Sequence, residues 1–189
     1  MRKHMLLLPL ILLIGSSLHA QIATQVFRAG AGPVYFERGG LTGFLFYNEY
    51  SRPILPFLRI APSLSFAYAG RAPYAEDYFE ASALSLDLTG YMPFELSRQS
   101  EVQIGAGLSR RYISEHYLEK IEYILLPDGE EMRVDHHARR HEWGLGYTVA
   151  VNYAARVSDR WMAGAKASFQ KYATGDEVWF LGFHGGFRF

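Results

Sequence analysis

The chain has 189 residues with 19 acidic and 19 basic side chains, no cysteine, and 15% aromatic residues. No basic excess exists to displace counterions from phosphates, so the composition argues against a nucleic-acid partner. Without cysteine, disulfide frameworks, thiolate metal centres and cysteine nucleophiles are excluded together, and only backbone pairing and packing hold the fold.

Residues 1–20 read as a cleaved secretory signal. Arg2 and Lys3 supply a positive start, Leu6 to Ile14 an apolar core interrupted by Pro9, and Gly15 to Ala20 a small, polar exit before Gln21. The apolar run is too short to span a bilayer as a helix, which needs about 20 residues, and it has the layout of a signal. Leu18 is bulkier than the residue usual at that distance from a cleavage point. Cleavage after Ala20 leaves 21–189, a single domain with formal charge −2.

From there on, no long apolar run offers a transmembrane helix. Eight segments instead alternate residue by residue between turns, the pattern of strands with one apolar face. The first, Gln25 to Phe36, sets Phe27, Ala29, Ala31, Pro33 and Tyr35 against Arg28, Gly30, Gly32 and Val34. Leu41 to Tyr50 follows, with Phe44 and Phe46 on one face and Glu49 on the other, and Ser51 to Pro56 turns the chain. Phe57 to Ala69 opposes Leu58, Ile60, Pro62, Leu64, Phe66 and Tyr68 to Arg59, Ala61, Ser63, Ser65 and Ala67.

A Gly, Pro and Tyr-rich loop, Gly70 to Tyr78, leads to a fourth segment with Leu84, Leu86 and Leu88 opposite Ser85, Asp87 and Thr89. After a turn at Leu96 to Ser100, the fifth begins near Glu101 with Val102, Ile104, Ala106 and Leu108 facing away from Gln103, Gly105, Gly107 and Ser109. The sixth starts near His141, where Trp143, Leu145, Tyr147, Val149, Val151 and Tyr153 oppose Glu142, Gly144, Gly146, Thr148 and Asn152. Arg160 to Tyr172 is the seventh, with Lys166 on its polar face, and Glu177 to Phe189 the eighth, with Trp179, Leu181, Phe183, Phe187 and Phe189 aligned.

One face of every segment is aromatic or aliphatic while the other is small and polar. That distribution is inverted from a soluble sandwich or calycin-type barrel, whose core needs bulk inside. The expected fold is all-β: an eight-stranded antiparallel up-and-down transmembrane β-barrel with short turns at one end and longer loops at the other. Tyr35, Tyr68, Tyr147, Tyr153, Trp143, Trp161 and Trp179 would form aromatic belts at the two interfaces. Inside so narrow a barrel, Arg28, Arg59, Asp87, Glu142, Lys166 and Arg188, joined by Glu49, should pair into a polar network that fills the lumen.

Between the fifth and sixth segments lie Ile113 to Arg140. PDGE at Pro127 to Glu130 is a turn sequence, flanked by strand-forming Ile121, Tyr123, Ile124 and Leu125 before it and Met132 and Val134 after it. The reading is an extended extracellular hairpin over about 113–140 whose exposed edge can recruit a strand; Tyr123, Leu125, Asp128 and Met132 are the candidates for contact with a protein partner. His116, His136, His137 and His141 stand in the same stretch beside Glu115 and Asp135, but their spacing matches no zinc template, so neither a metal nor any other cofactor is expected.

The signal, the eight alternating strands, the short turns between longer loops and the ending HGGFRF together resemble the small outer-membrane β-barrel family of Gram-negative bacteria, the OmpX/OmpA type, over essentially all of 21–189. The resemblance implies an outer-membrane location among lipid and lipopolysaccharide. It also implies that Leu181, Phe183, Phe187 and Phe189 resemble the terminal signal read by the barrel-assembly machinery during insertion. Fold does not fix function; the expected role is non-enzymatic, structural or interactive through surface loops.

Two other readings stay open at this level. A lipid A-modifying acyl hydrolase or transferase barrel would need Ser, His and an acid in reach; Ser114, Glu115 and His116 are consecutive, Ser109 with His141 and Glu142 is the other grouping, and no His-x-Ser signature is present. An OmpW-like carrier of small hydrophobic molecules would need a gap in the wall, for which Pro33 and Pro62 lack the ladder donor.

Overall fold

The structure, a computed structural model, describes residues 25–70, 79–125 and 131–189. The expected signal segment lies outside them, as do residues 71–78 of the expected loop and the turn at Pro127 to Glu130. Eight strands follow in chain order: β1 Val26–Phe36, β2 Leu41–Leu55, β3 Leu58–Gly70, β4 Phe79–Ser97, β5 Ser100–Leu125, β6 Glu131–Arg156, β7 Trp161–Tyr172 and β8 Glu177–Arg188. Each pairs antiparallel with its neighbours, and β1 pairs with β8, so the sheet closes on itself. Closure leaves the barrel wall without a free edge, the condition for placing strands in hydrocarbon.

The ring is sealed where the chain ends meet. Gln25 and Phe189 exchange backbone hydrogen bonds, both 3.1 Å long, and the Phe189 ring stacks on Tyr50 at 6.3 Å. At this end, which we call the turn end, the connections at Pro56–Phe57, Arg98–Gln99 and 157–160 are short. The opposite loop end carries a 3₁₀ turn, Arg38–Gly40, where Gly39 and Gly40 take φ of 76° and 59°, conformations that suit glycine.

Alternation along the strands sends the expected residues outward. Phe44, Phe46, Leu64, Phe66, Leu84, Leu86, Leu88, Ile104, Leu108, Leu145, Leu181 and Phe183 are all exposed, Phe183 at 77%. A belt of this size has no soluble explanation, because monomeric soluble proteins expose far smaller apolar patches; the barrel spans a membrane. Trp143, Trp179, Tyr68 and Tyr35 stand toward the loop end of the belt, Trp161 and Tyr153 toward the turn end, which fits aromatic girdles at both interfaces.

Several boundaries differ from the sequence reading. β2 runs on to Leu55 rather than stopping at Tyr50, with a register shift between Pro53 and Leu55. Pro53 lacks the donor that an unbroken ladder needs, and the irregularity absorbs it. The segment from Ile113 also does not leave the barrel at once: Ile113 is buried in the interior, and β4 accompanies β5 as far as Tyr117. Pro33 and Pro62 open no gap. The β1–β8 ladder steps from Ala31–Phe183 to Val34–Phe180 across Pro33, and Pro62 pairs with Leu88.

Candidate functional site

The lumen is filled in two zones. Toward the turn end lies an ion network centred on Glu49, which is 1% exposed. Arg28 Nη1 donates to its Oε1 at 2.7 Å, while Lys166 Nζ at 2.8 Å and the Tyr91 hydroxyl at 3.2 Å donate to Oε2. Arg28 Nη2 and Asn152 Nδ2 both donate to Gln103 Oε1 at 3.1 Å, and His184 Nε2 donates to Asn152 Oδ1 at 2.7 Å. Strands β1, β2 and β4 to β8 supply these side chains. A carboxylate shared by two cations and a hydroxyl is the arrangement that makes buried charge tolerable.

Glycines make room for the largest lumenal rings. A Cβ added at Gly105 would stand 2.4 Å from Tyr91 Cδ1, and one at Gly30 2.6 Å from Tyr47 Cε1. Neither ring could keep its place over a larger residue. Lys166 Nζ also rests 4.6 Å from the centre of the Tyr47 ring, a cation–π contact that supplements its ion pair.

Toward the loop end the interior turns apolar. Val34, Phe36, Leu41, Leu45, Tyr47, Ala67, Ala69, Ala81, Ala83, Ile113, Tyr172, Val178 and Phe180 form one buried cluster. The expectation of a lumen filled by a polar network is therefore corrected: the network occupies only part of it, and an apolar plug sits above. Strand β8 carries both zones in its inward phase, Val178 and Phe180 first, then His184, then Arg188. Between the zones Asp87 accepts from Gln170 at 3.0 Å and Ser63 at 3.4 Å. The loop-end mouth is capped by Asp176, which accepts from Arg111 and, at 3.3 Å, from Arg38.

The residues anticipated for the lumen thus divide. Arg28 and Lys166 lie at the centre of the network with Glu49, and Asp87 in a second polar group. Arg59 and Arg188 line the turn-end mouth. Glu142 is in the inward phase opposite Ile113 but at the loop-end rim, paired with Arg140, and is no part of the network. Tyr91, His184, Arg111 and Asp176 were missed. The first three were legible as inward positions by the period of two; Asp176 lies in a loop, where no such period applies.

Beyond the barrel, β5 and β6 continue as a two-stranded fin. Their ladder runs on from Tyr117–Ala138 to Leu125–Glu131, with a bulge between Leu118 and Lys120. β7 leaves β6 at Gly146, so on that side residues 131–143 of β6 have no ladder partner among the described residues. Tyr123 is 62% and Met132 44% exposed, and the alternation puts them on opposite faces. Asp128 lies outside the described residues, and Leu125 is described only through its backbone pairing. Charges along the fin are locally paired: Lys120 and His136 with Glu122, and Arg133 with Asp135 at 2.7 Å.

Neither hydrolase grouping assembles. Glu115 is buried on the inward side within 3.8 Å of Arg38, whereas the alternation turns Ser114 and His116 outward. Ser109 is inside, hydrogen-bonded to the Tyr172 hydroxyl at 2.8 Å, while His141 is outside, stacked beside Tyr112 with Nδ1 3.2 Å from its hydroxyl. Among the described residues no group of His, Asp and Glu is placed to hold a metal ion.

On the lipid-facing wall, Arg110 is an exception to the apolar pattern. Its guanidinium lies 4.8 Å from the centre of the Trp143 ring and has no carboxylate partner among the described residues.

No family model matches the sequence, and no curated protein does either. Solved structures do match. Ail, the attachment invasion locus protein of Yersinia pestis, aligns at TM-score 0.56 and 10% identity over 89% of this chain and all of that one. Neisserial surface protein A aligns at 0.56 and 16% identity, covering 88% and 96% of the two chains. A major outer membrane protein from Thermus thermophilus aligns at 0.56 and 13%, covering 89% and 100%. The chain has the fold of the small eight-stranded outer-membrane β-barrels.

Proposed function

We propose that this protein is a non-enzymatic outer-membrane barrel with a closed lumen, whose working surface is the β5–β6 fin held outside the cell. The observation that carries the reading is the β6 edge over residues 131–143, which extends past the last residue that β7 pairs. A strand edge offers a row of backbone donors and acceptors, and its natural occupant is an extended segment of another protein. The ion pairs along the fin are too exposed to stabilise it by much, typically about 0–1 kcal/mol each; they keep the edge soluble until a partner arrives.

In this reading the terminal residues Leu181, Phe183, Phe187 and Phe189, aligned outward on β8, are what the barrel-assembly machinery reads during insertion. Lipid and lipopolysaccharide surround the belt. Ail was crystallised with the heparin analogue sucrose octasulfate; here most fin cations are already committed to carboxylates, which favours strand addition over a sulfated polysaccharide.

Deleting Glu119 to Asp135 tests the proposal. The shortened barrel should still migrate differently in boiled and unheated gel samples while losing capture of its protein partner from surface-exposed cells. Undiminished capture by the shortened barrel would overturn the role of the fin.

A further inference from the structure

Four arginines converge on the turn-end mouth of the lumen. Arg59 from β3, Arg98 from the β4–β5 turn, Arg156 from the end of β6 and Arg188 from the end of β8 line one cavity of about 150 Å³, together with Glu95, Glu101 and Gln99. The same two-residue period that buries Ala61, Ala154 and His184 turns Arg59, Arg156 and Arg188 inward. The lining has two more cations than anions.

Of its two acids, Glu101 is already engaged. Glu101 Oε1 accepts from Gln103 Nε2 at 2.7 Å and lies within 4.0 Å of Arg28 and 3.8 Å of Arg59. Arg98, Arg156 and Arg188 have no ion-pair partner among the described residues, and Arg59 Nη1 is buried without a hydrogen-bond acceptor. A guanidinium donor withdrawn from water and left without an acceptor is costly. Arg59 Nη1 is such a donor, and with the guanidinium groups of Arg98, Arg156 and Arg188 around the same cavity the mouth favours an anion, because the planar fork of arginine matches tetrahedral and carboxylate oxygens two at a time. The cavity of about 150 Å³ is roughly ten times the 10–15 Å³ that one water needs, which leaves room for a small oxyanion.

We propose that the turn-end mouth binds a small doubly charged oxyanion of the phosphate class, held by Arg59, Arg156 and Arg188 inside the lumen and by Arg98 from the turn. Charge balance favours a dianion over a monoanion. The site is separate from the fin, faces the opposite side of the membrane, and is walled off from the loop end by the Glu49 network and the apolar plug.

The test is a titration of the refolded barrel in zwitterionic detergent with inorganic phosphate, followed by the backbone amide resonances of Gln99, Ser100 and Ala154. Saturable shifts confined to the turn end, absent with chloride at matched ionic strength, are expected. The double variant Arg156→Gln, Arg188→Gln should weaken binding by about tenfold or more, the effect of losing roughly one charge-assisted hydrogen bond. Linear, unsaturated shifts, or shifts equal with chloride, would overturn the site, and this comparison on the unaltered chain stands even if the variant fails to assemble. A response to vesicles of phosphatidylglycerol without any response to inorganic phosphate would also overturn it, by moving the arginines' partner from the lumen to the lipid headgroups.

Discussion

Arg28 and Glu49 face each other across the β1–β2 ladder, both fully buried, with Nη1 2.7 Å from Oε1. The second carboxylate oxygen of Glu49 is committed to Lys166 at 2.8 Å, so one anion compensates two cations in the turn-end half of the lumen. Glu49→Gln therefore leaves buried charge uncompensated, and by analogy with broken buried pairs it should cost about 3–5 kcal/mol. Replacing Glu49 and Lys166 together by methionine should cost less, since only Arg28 is then left without its carboxylate. Urea unfolding from lipid vesicles measures both, and a single variant within about 1 kcal/mol of the parent would mean that the network contributes little to stability.

Tyr91 keeps its place over Glu49 because Gly105 lies beneath its ring. Gly105→Val should overpack the lumen and destabilise the barrel by about 1–3 kcal/mol. Gly90→Ala is the control, since its new Cβ would meet Leu58 Cδ1 only at 3.6 Å, an ordinary contact. Equal losses at the two positions would contradict this packing.

Depth along the wall can be read with arginine. Leu108, 72% exposed, lies midway between the girdle residues Tyr153 and Trp143 on the β5–β6 face, and Leu108→Arg should cost about 2–4 kcal/mol, as at a bilayer midplane. Arg110 stands two ladder pairs nearer the loop-end girdle, toward the interface where a cation costs about 0–1 kcal/mol; Arg110→Leu should change stability by no more than that. A large gain from Arg110→Leu would place the membrane boundary further out than the Trp143 girdle.

With an ion network and an apolar plug in series, the barrel should carry no steady current in planar bilayers. Removing bulk from the plug alone, as in Phe180→Ala, should leave it closed, because the Arg28–Glu49–Lys166 cluster remains. Stable unitary conductance from the parent chain would contradict a closed lumen.

Much of this was legible in the chain. The period of two fixed which side chains face lipid on every strand, from Phe27 to Phe183, because the pleat allows no other arrangement once one face must be apolar. The fin was legible from strand-forming residues on both sides of a turn sequence. Its base was not: whether Ile113 belongs to barrel or hairpin depends on how far β4 travels beside β5, and that is a matter of strand tilt.

Inside the barrel, alternation reaches its limit. Glu49 was only a companion in the expected network and Glu142 a member; in the structure Glu49 is the hub and Glu142 pairs with Arg140 at the rim. Alternation tells which way a side chain points but not its height relative to residues on other strands, and the ion pairs join positions 117 residues apart at Glu49–Lys166 and 138 apart at Arg38–Asp176. The number of strands, their lipid-facing residues and the presence of charge within all follow from the linear pattern, since a pleat has a local period. Which charges meet, where the apolar plug begins and which arginines face the cavity at the turn end follow instead from the stagger between strands, which exists only once the ring has closed.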